Sequence, residues 1–291
     1  MKNWSFALFT LGFLTSCSRE IVFNKGEDEP VLVVYTQSNP KEPFNAMVTH
    51  SVGILDTGNP QAVTNATVYI EKEDGTLVAQ LTPWGDGFYA SPAVYPQPGV
   101  NYVARVSATG FKPVRGSFFI PTKPIASADS VGYAPPIPNS PRPNPKYLYD
   151  LTLLDDGTEG MYEVMAFLRQ KGDTTTPNLQ SHWPQSIGSP DPISIENRGY
   201  YKRSVFFPAA LFSGQTRTLR LVVDVEEFMN EVEVVLYIAK LTPDLFKYIQ
   251  STEQYNQSGG MSMFTQPVSI YTNIQNGLGC VGGFQAVIEV P

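Results

Sequence analysis

From Val31 onward, apolar and polar residues alternate in short runs with a period of two, the spacing of strands that bury one face. "VLVVYTQ" reads as a strand, and "NATVYIEKEDGTLVAQLT" reads as a hairpin turning at Asp74-Gly75. After the turn "PWGDGFYA", the segments "NYVARVSATG" and "GFKPVRGSFFIP" continue the pattern. Short strands punctuated by Gly and Pro predict an antiparallel sandwich of the immunoglobulin or transthyretin kind over residues 30–125. Prolines at 135, 136, 138, 141, 143 and 145 then exclude a central strand, so residues 126–145 are expected to be an extended connection.

The alternation resumes in "KYLYDLTLLDD" and "MYEVMAFLRQ", joined by the turn "DGTEG", and again in "FPAALFSGQTRTLRLVVDVEE" and "EVEVVLYIAKLT". One helix is predicted from Thr242 onward. Thr242 is a cap candidate, Pro243 suits the first turn, Asp244 faces the positive dipole end, and Gly259-Gly260 stop the chain. Leu245, Phe246 and Ile249 give that helix an apolar face, and "QPVSIYTNI" and "GFQAVIEVP" read as the last strands. The fold class expected is therefore mainly β, with two antiparallel β-sandwich lobes, at 30–125 and 146–291, and one short helix in the second.

The first residues change the picture of location. Lys2, an apolar run from Trp4 to Leu14 and small residues up to Cys17 form a secretory signal too short to span a bilayer. Leu14-Thr15-Ser16-Cys17 resembles a bacterial lipobox, so 1–16 is expected to be a lipoprotein signal peptide, Cys17 the lipidation site and 17–29 a polar tether. The net charge of −7 becomes −8 without Lys2, and no basic run is present, which disfavours nucleic acid. With Cys17 acylated, Cys280 stands alone and no disulfide framework exists, so stability rests on burial.

Candidate chemistry is sparse. Gly277, Gly279 and Gly282 have the spacing of a dinucleotide fingerprint, but the following "GFQAVIEVP" alternates as a strand and supplies no helix, so a glycine turn between two late strands is expected. Cys280 is expected to pack as a small hydrophobe, and His50 and His182 lie far apart in the chain. No GxSxG, HExxH, CxxC or P-loop pattern occurs. Asp155, Asp156 and Glu159 are a candidate Ca²⁺ cluster without EF-hand spacing, and a turn rich in Asp and Gly needs no metal. No paired carboxylates for a glycan hydrolase stand out, because Asp224, Glu226, Glu227, Glu231 and Glu233 alternate with apolar residues as a wet strand face does. Trp183, Tyr200 and Tyr201, in the polar insertion of the second half, are the candidate partner or ligand contacts, and Asp129 and Asp173 open short Asp-Ser/Thr motifs suited to O-glycosylation.

Taken together, "VLVVYTQSNP", "ILDTGNPQAVTNATVYIEKEDG", "PGVNYVARVSATGFKPVRGSFFIPTKP", "FPAALFSGQTRTLRLVV", "LTPDLFKYIQST" and "PVSIYTNIQNGLG" resemble the Bacteroidota lipoproteins of domain-of-unknown-function family 4249. The likeness runs from about Pro30 to Phe284, and Cys280 departs from the large aliphatic residue expected there. The resemblance implies a lipid-anchored outer-membrane protein commonly encoded beside a TonB-dependent transporter, and the acidic cluster Glu27, Asp28 and Glu29 at the end of the tether leans towards export to the cell surface. It brings no catalytic residues to transfer, and no cofactor is expected. The expected role is a non-enzymatic accessory subunit; a stand-alone glycan- or peptide-binding lipoprotein is the alternative, and a glycan hydrolase the weakest reading.

Overall fold

The computed structural model describes residues 29–52, 60–134, 146–172, 184–196, 203–225, 232–258 and 269–291. The strands of the first half are β1 (Leu32–Ser38), β2 (Asn45–His50), β3 (Thr67–Lys72), β4 (Leu77–Gly85), β5 (Phe88–Ala90), β6 (Asn101–Ser107) and β7 (Val114–Phe119). The second half adds β8 (Ile125–Ala134), β9 (Lys146–Leu154), β10 (Met161–Gln170), β11 (Pro184–Gly188), β12 (Ile195–Glu196), β13 (Val205–Pro208), β14 (Thr216–Asp224) and β15 (Val232–Leu241). Helix α1 (Pro243–Ser258) follows, then β16 (Ile274–Gln275) and β17 (Leu278–Glu289).

Alternation builds two layers in each half. In β1, Leu32, Val34, Thr36 and Ser38 point inward while Val33, Tyr35 and Gln37 face out; in β14, Leu219, Leu221 and Val223 take the inward positions. The hairpin at Asp74-Gly75 forms as expected, with Gly75 at φ 85° and Thr76 N–H donating to Asp74 Oδ1 at 2.9 Å. One first-half layer pairs β17, β1, β2, β5 and the end of β4; the other pairs the start of β4 with β3, β6, β7 and β16. In the second half, β8, β9, β14 and β11 face a layer of β17, β15, β10, β13 and β12. Among the described residues the result is a mainly β chain with one α-helix, its strands hydrogen-bonded into one continuous network because β4, β11 and β17 each serve two layers.

Strand β17 is the part that sequence periodicity does not predict. Its first half, Leu278–Gly283, runs parallel to β1, and its second half, Phe284–Glu289, runs antiparallel to β15. Val281 packs into the core with Leu32, Val34 and Tyr89; Val287 packs into the core with Leu151, Val164 and Leu221; Ala286 joins Met161, Phe206 and Leu245 under α1. One strand thus contributes to three hydrophobic clusters and binds both halves together.

Two expectations are corrected. The predicted extended connection over 126–145 is a strand in its first part: the prolines begin at 135, so residues 125–134 keep their N–H donors and β8 pairs with β9. Residues 135–145 lie outside the described residues. The glycine turn is also smaller than expected. It consists of Asn276, at φ 61°, and Gly277, whereas Gly279, Gly282 and Gly283 lie inside β17. These three are there for close approach: a Cβ on Gly279 would fall 2.1 Å from Val34 O, on Gly283 2.1 Å from Phe119 O, and on Gly282 2.7 Å from Leu245 Cβ.

Candidate functional site

Helix α1 starts where the two halves meet, and its first turn is tied to the end of the chain. Thr242 stands at the cap position, its carbonyl accepting from Phe246 N–H at 3.0 Å; Gly283 N–H donates to its Oγ1 at 3.4 Å, and Thr242 N–H donates to Gly283 O at 3.0 Å. Tyr271 O–H donates to Asp244 Oδ1 at 2.5 Å, and Asn273 Nδ2 donates to Asp244 Oδ2 at 3.2 Å. The Asn273 side-chain amide also pairs with β17 like a strand neighbour, donating to Val281 O at 2.8 Å and accepting from Val281 N–H at 2.9 Å. The stretches "LTPDLF" and "IYTNI" therefore meet in space as one polar knot, and their distinctive residues hold the fold together.

Beside this knot lies a cleft of about 330 Å³ between the halves, lined among others by Glu73, Asn101, Phe119, Glu159, Asp244 and Lys247. Lys247 Nζ lies 3.9 Å from Asp244 Oδ1 and 5.3 Å from the centre of the Tyr271 ring, an exposed arrangement that leaves the cleft lining acidic.

Asp155 and Asp156, the candidate Ca²⁺ carboxylates, are bound to an amine of the protein itself. Lys240 on β15, 1% exposed, places Nζ 2.9 Å from Asp155 Oδ1 and in direct contact with Asp156 Oδ1. Tyr162 O–H donates to Asp155 Oδ1 at 2.8 Å, while Gly157 N–H and Gly214 N–H donate to Asp155 Oδ2 at 2.8 and 3.0 Å. Burial opposes the charged form of Asp155, but Lys240 and these donors together hold its carboxyl below the usual range; the same balance, with Thr122 and Thr158 as donors, holds Asp156 low. Glu159 lies apart from this pair, in the cleft. Among the described residues no group of three or more His, Cys, Asp or Glu side chains is arranged to hold a metal ion.

The remaining nucleophile and base candidates are also built into the packing. Cys280 is fully buried with Sγ 3.7 Å from Asp244 O; burial, then the Asp244 charge, pushes its thiol up to about 12. His50 Nδ1 meets Ser51 O at 2.9 Å, and its ring stacks on Phe111. Glu163 stands on the face of β10 that α1 covers. Burial, with Glu253 on α1 adding like charge, raises its carboxyl to about 7 despite a hydrogen bond with Ser204.

The outward face of the β1 layer carries something different. Tyr35, Met47 and Phe88 stand opposite one another in register across β1, β2 and β5, and Tyr248 of α1 extends the row, its ring 5.3 Å from that of Tyr35. At the far end, the β4–β5 pairing is irregular between Pro83 and Gly85, and Trp84 sits in the bulge, 70% exposed. Positive φ at Gly85, Asp86 and Gly87 fixes the hairpin tip, and Val48 N–H donates to Gly87 O at 2.8 Å. Met47 is 39% exposed. This row is apolar, and an exposed tryptophan stands on the rigid hairpin tip joined to its last strand, the composition of an interaction surface.

Of the residues singled out from sequence, Cys17, Trp183, Tyr200 and Tyr201 lie outside the described residues, as do His182 and Asp173. Sequence reasoning missed Trp84 and Lys240. A signal for Trp84 does exist: a tryptophan between Pro83 and Gly85 in a tight turn has little chain around it to bury it.

A family model described as "Domain of unknown function (DUF4249)" matches residues 18–287. No curated protein matches the chain. Among solved structures, the major pilin subunit of Bacillus cereus is 13% identical over 90% of this chain and 69% of its own, with a TM-score of 0.23. A Salmonella alpha-2-macroglobulin mutant is 11% identical over 90% of this chain and 15% of its own, with a TM-score of 0.24. A putative membrane anchored protein from Corynebacterium diphtheriae is 10% identical over 91% of this chain and 60% of its own, with a TM-score of 0.21.

Proposed function

We propose that this chain, which belongs to the DUF4249 family, is a lipid-anchored outer-membrane protein that serves as a non-enzymatic accessory subunit of a TonB-dependent barrel. The observation that carries the reading is the apolar band of Tyr35, Met47 and Phe88, with Trp84 on the hairpin tip joined to it. A solvent-facing aromatic on a hairpin braced by main-chain hydrogen bonds loses little side-chain freedom on binding, which makes it a good anchor for a protein partner.

Lipidation at Cys17 fits this geometry. The tether at 17–29 leads into β1, and three residues past the start of that strand stands Tyr35, the first strand residue of the band. Thirteen extended residues reach at most ~45 Å, so the tether holds its end at Glu29 within that distance of the bilayer surface and keeps the first half, with the band, confined near it. Confinement at that range raises the effective concentration of the band for a membrane partner, and a modest contact becomes persistent.

The test is a photo-cross-linking residue in place of Trp84 in the native cell. A cross-link to an outer-membrane barrel supports the reading; adducts to soluble material alone, with the protein at normal abundance, overturn it. The acidic cleft beside α1 favours the second reading, a stand-alone glycan or peptide binder. That reading requires the purified chain to bind an oligosaccharide or peptide and to lose it with Asn101→Ala.

A further inference from the structure

We propose that Lys240 and Asp155 become joined by an intramolecular amide bond that the folded protein forms on itself, with Asp156 relaying the proton. Three kinds of group needed for acyl transfer to an amine converge at this point. The amine is Lys240 Nζ, buried on β15 and 2.9 Å from the acceptor carboxyl. Such a distance holds Nζ in hydrogen-bond contact with the carboxyl whose Cγ it would attack, so that proximity replaces a bimolecular encounter. The acceptor is Asp155, whose side chain is 0% exposed and whose Oδ2 lies on two backbone donors, Gly157 N–H and Gly214 N–H. That pair has the form of an oxyanion hole. The relay is Asp156, which touches the same Nζ and has part of its side chain open to solvent.

The bonds balance without any outside reagent. The Lys240 ammonium gives one proton to Asp156, which passes it to Asp155, leaving a neutral amine facing a neutral carboxylic acid. Nζ then attacks Cγ of Asp155, and the negative charge that develops rests on Oδ2 against the two glycine N–H groups. Asp156 takes the extra proton from nitrogen and delivers it to the Oδ1 hydroxyl. The Cγ–Oδ1 bond breaks, the C–N bond becomes an amide, water leaves and Asp156 is a carboxylate again. The dry surroundings favour this outcome by removing the water that would reverse the step.

The position gives the bond a purpose. Asp155 follows β9 in one layer of the second half, Lys240 lies on β15 in the other, and 85 positions separate them along the chain. An amide there would tie the two layers covalently in a protein whose described cysteine is buried and unpaired. The assignment is independent of the docking role proposed above.

The experiment is protease mapping of the full chain by mass spectrometry, alongside Lys240→Arg and Asp156→Asn, each checked for folding by circular dichroism and thermal melting. Wild type is expected to resist cleavage after Lys240 and to yield a branched peptide lighter by one water than its two parts. Both variants are expected to be folded and to yield only linear peptides. Complete cleavage after Lys240 in wild type, with linear peptides alone, would show an ion pair and overturn the proposal. So would a branch at Asp156 instead of Asp155, or a full cross-link in folded Asp156→Asn, which would remove the relay.

Discussion

Glu163→Gln should make the protein more stable at pH 8 and leave it nearly unchanged at pH 4.5. Glu163 lies between β10 and α1, where burial and the facing Glu253 raise its carboxyl from the ordinary 4.5 to about 7. A rise of that size corresponds to at most ~3 kcal/mol. The sign follows from proton binding. Below the ordinary value, Glu163 is protonated in both the folded and the unfolded chain and contributes no pH dependence. Between about 4.5 and 7 the unfolded chain releases the proton that the folded chain keeps, so stability falls by up to ~1.4 kcal/mol per pH step, and above 7 the loss is complete. Gln keeps the shape and can keep the hydrogen bond with Ser204, but it cannot ionise. The assay is urea unfolding of both proteins from pH 4 to 9, comparing midpoints at constant slope. The difference between the two proteins isolates this residue, since every other titrating group is common to both. Glu253→Gln should shift the inflection to lower pH by removing the like charge. If the Glu163→Gln and wild-type profiles ran parallel from pH 4.5 to 8, the placement of Glu163 under the helix would be wrong.

Other outcomes follow from the same contacts. Gly283→Ala puts a Cβ against Phe119 O and should cost ~1–3 kcal/mol or more, lowering a single thermal transition that both halves share through β17. Separate melting of the two halves would contradict the role given to that strand. Lys240→Met removes the nitrogen partner shared by Asp155 and Asp156, leaving their carboxylates unpaired in a buried site, and should destabilise by at least ~3 kcal/mol in chemical unfolding. Cys280 should resist alkylation at pH 8 in the native protein and react fully once unfolded; rapid native labelling would show that the thiol is not sealed beneath α1.

Local pattern makes some of this architecture legible in the sequence and leaves the rest hidden. The hairpin at Asp74-Gly75 and the start of α1 at Pro243-Asp244 depend on residues within one turn of each other, so the sequence displays them directly. Strand β8 is obscured by prolines that in fact begin only after it ends. The double pairing of β17 cannot be read, because its partners β1 and β15 are far away in the chain and a buried strand shows no alternation to mark its faces. The same distance hides the Lys240 site: "LLDDGTEG" looks like a cation site, and the group it meets is the side-chain nitrogen of a lysine 85 positions on. The aromatics of the insertion draw attention from composition alone, whereas Trp84 becomes a candidate through exposure, which depends on how the chain packs around the hairpin.

The most direct test of the proposed role is recovery from the native outer membrane. The tagged protein would be solubilised in mild detergent as wild type, Cys17→Ala, and Trp84→Ala combined with Met47→Ser, and the co-purifying proteins identified. A TonB-dependent barrel should copurify stoichiometrically with wild type and be reduced in the unanchored variant. It should be lost from the band variant, whose own stability should change by less than ~1 kcal/mol because both side chains face solvent. Recovery of the protein alone, under conditions that keep other barrel complexes intact, would contradict the account.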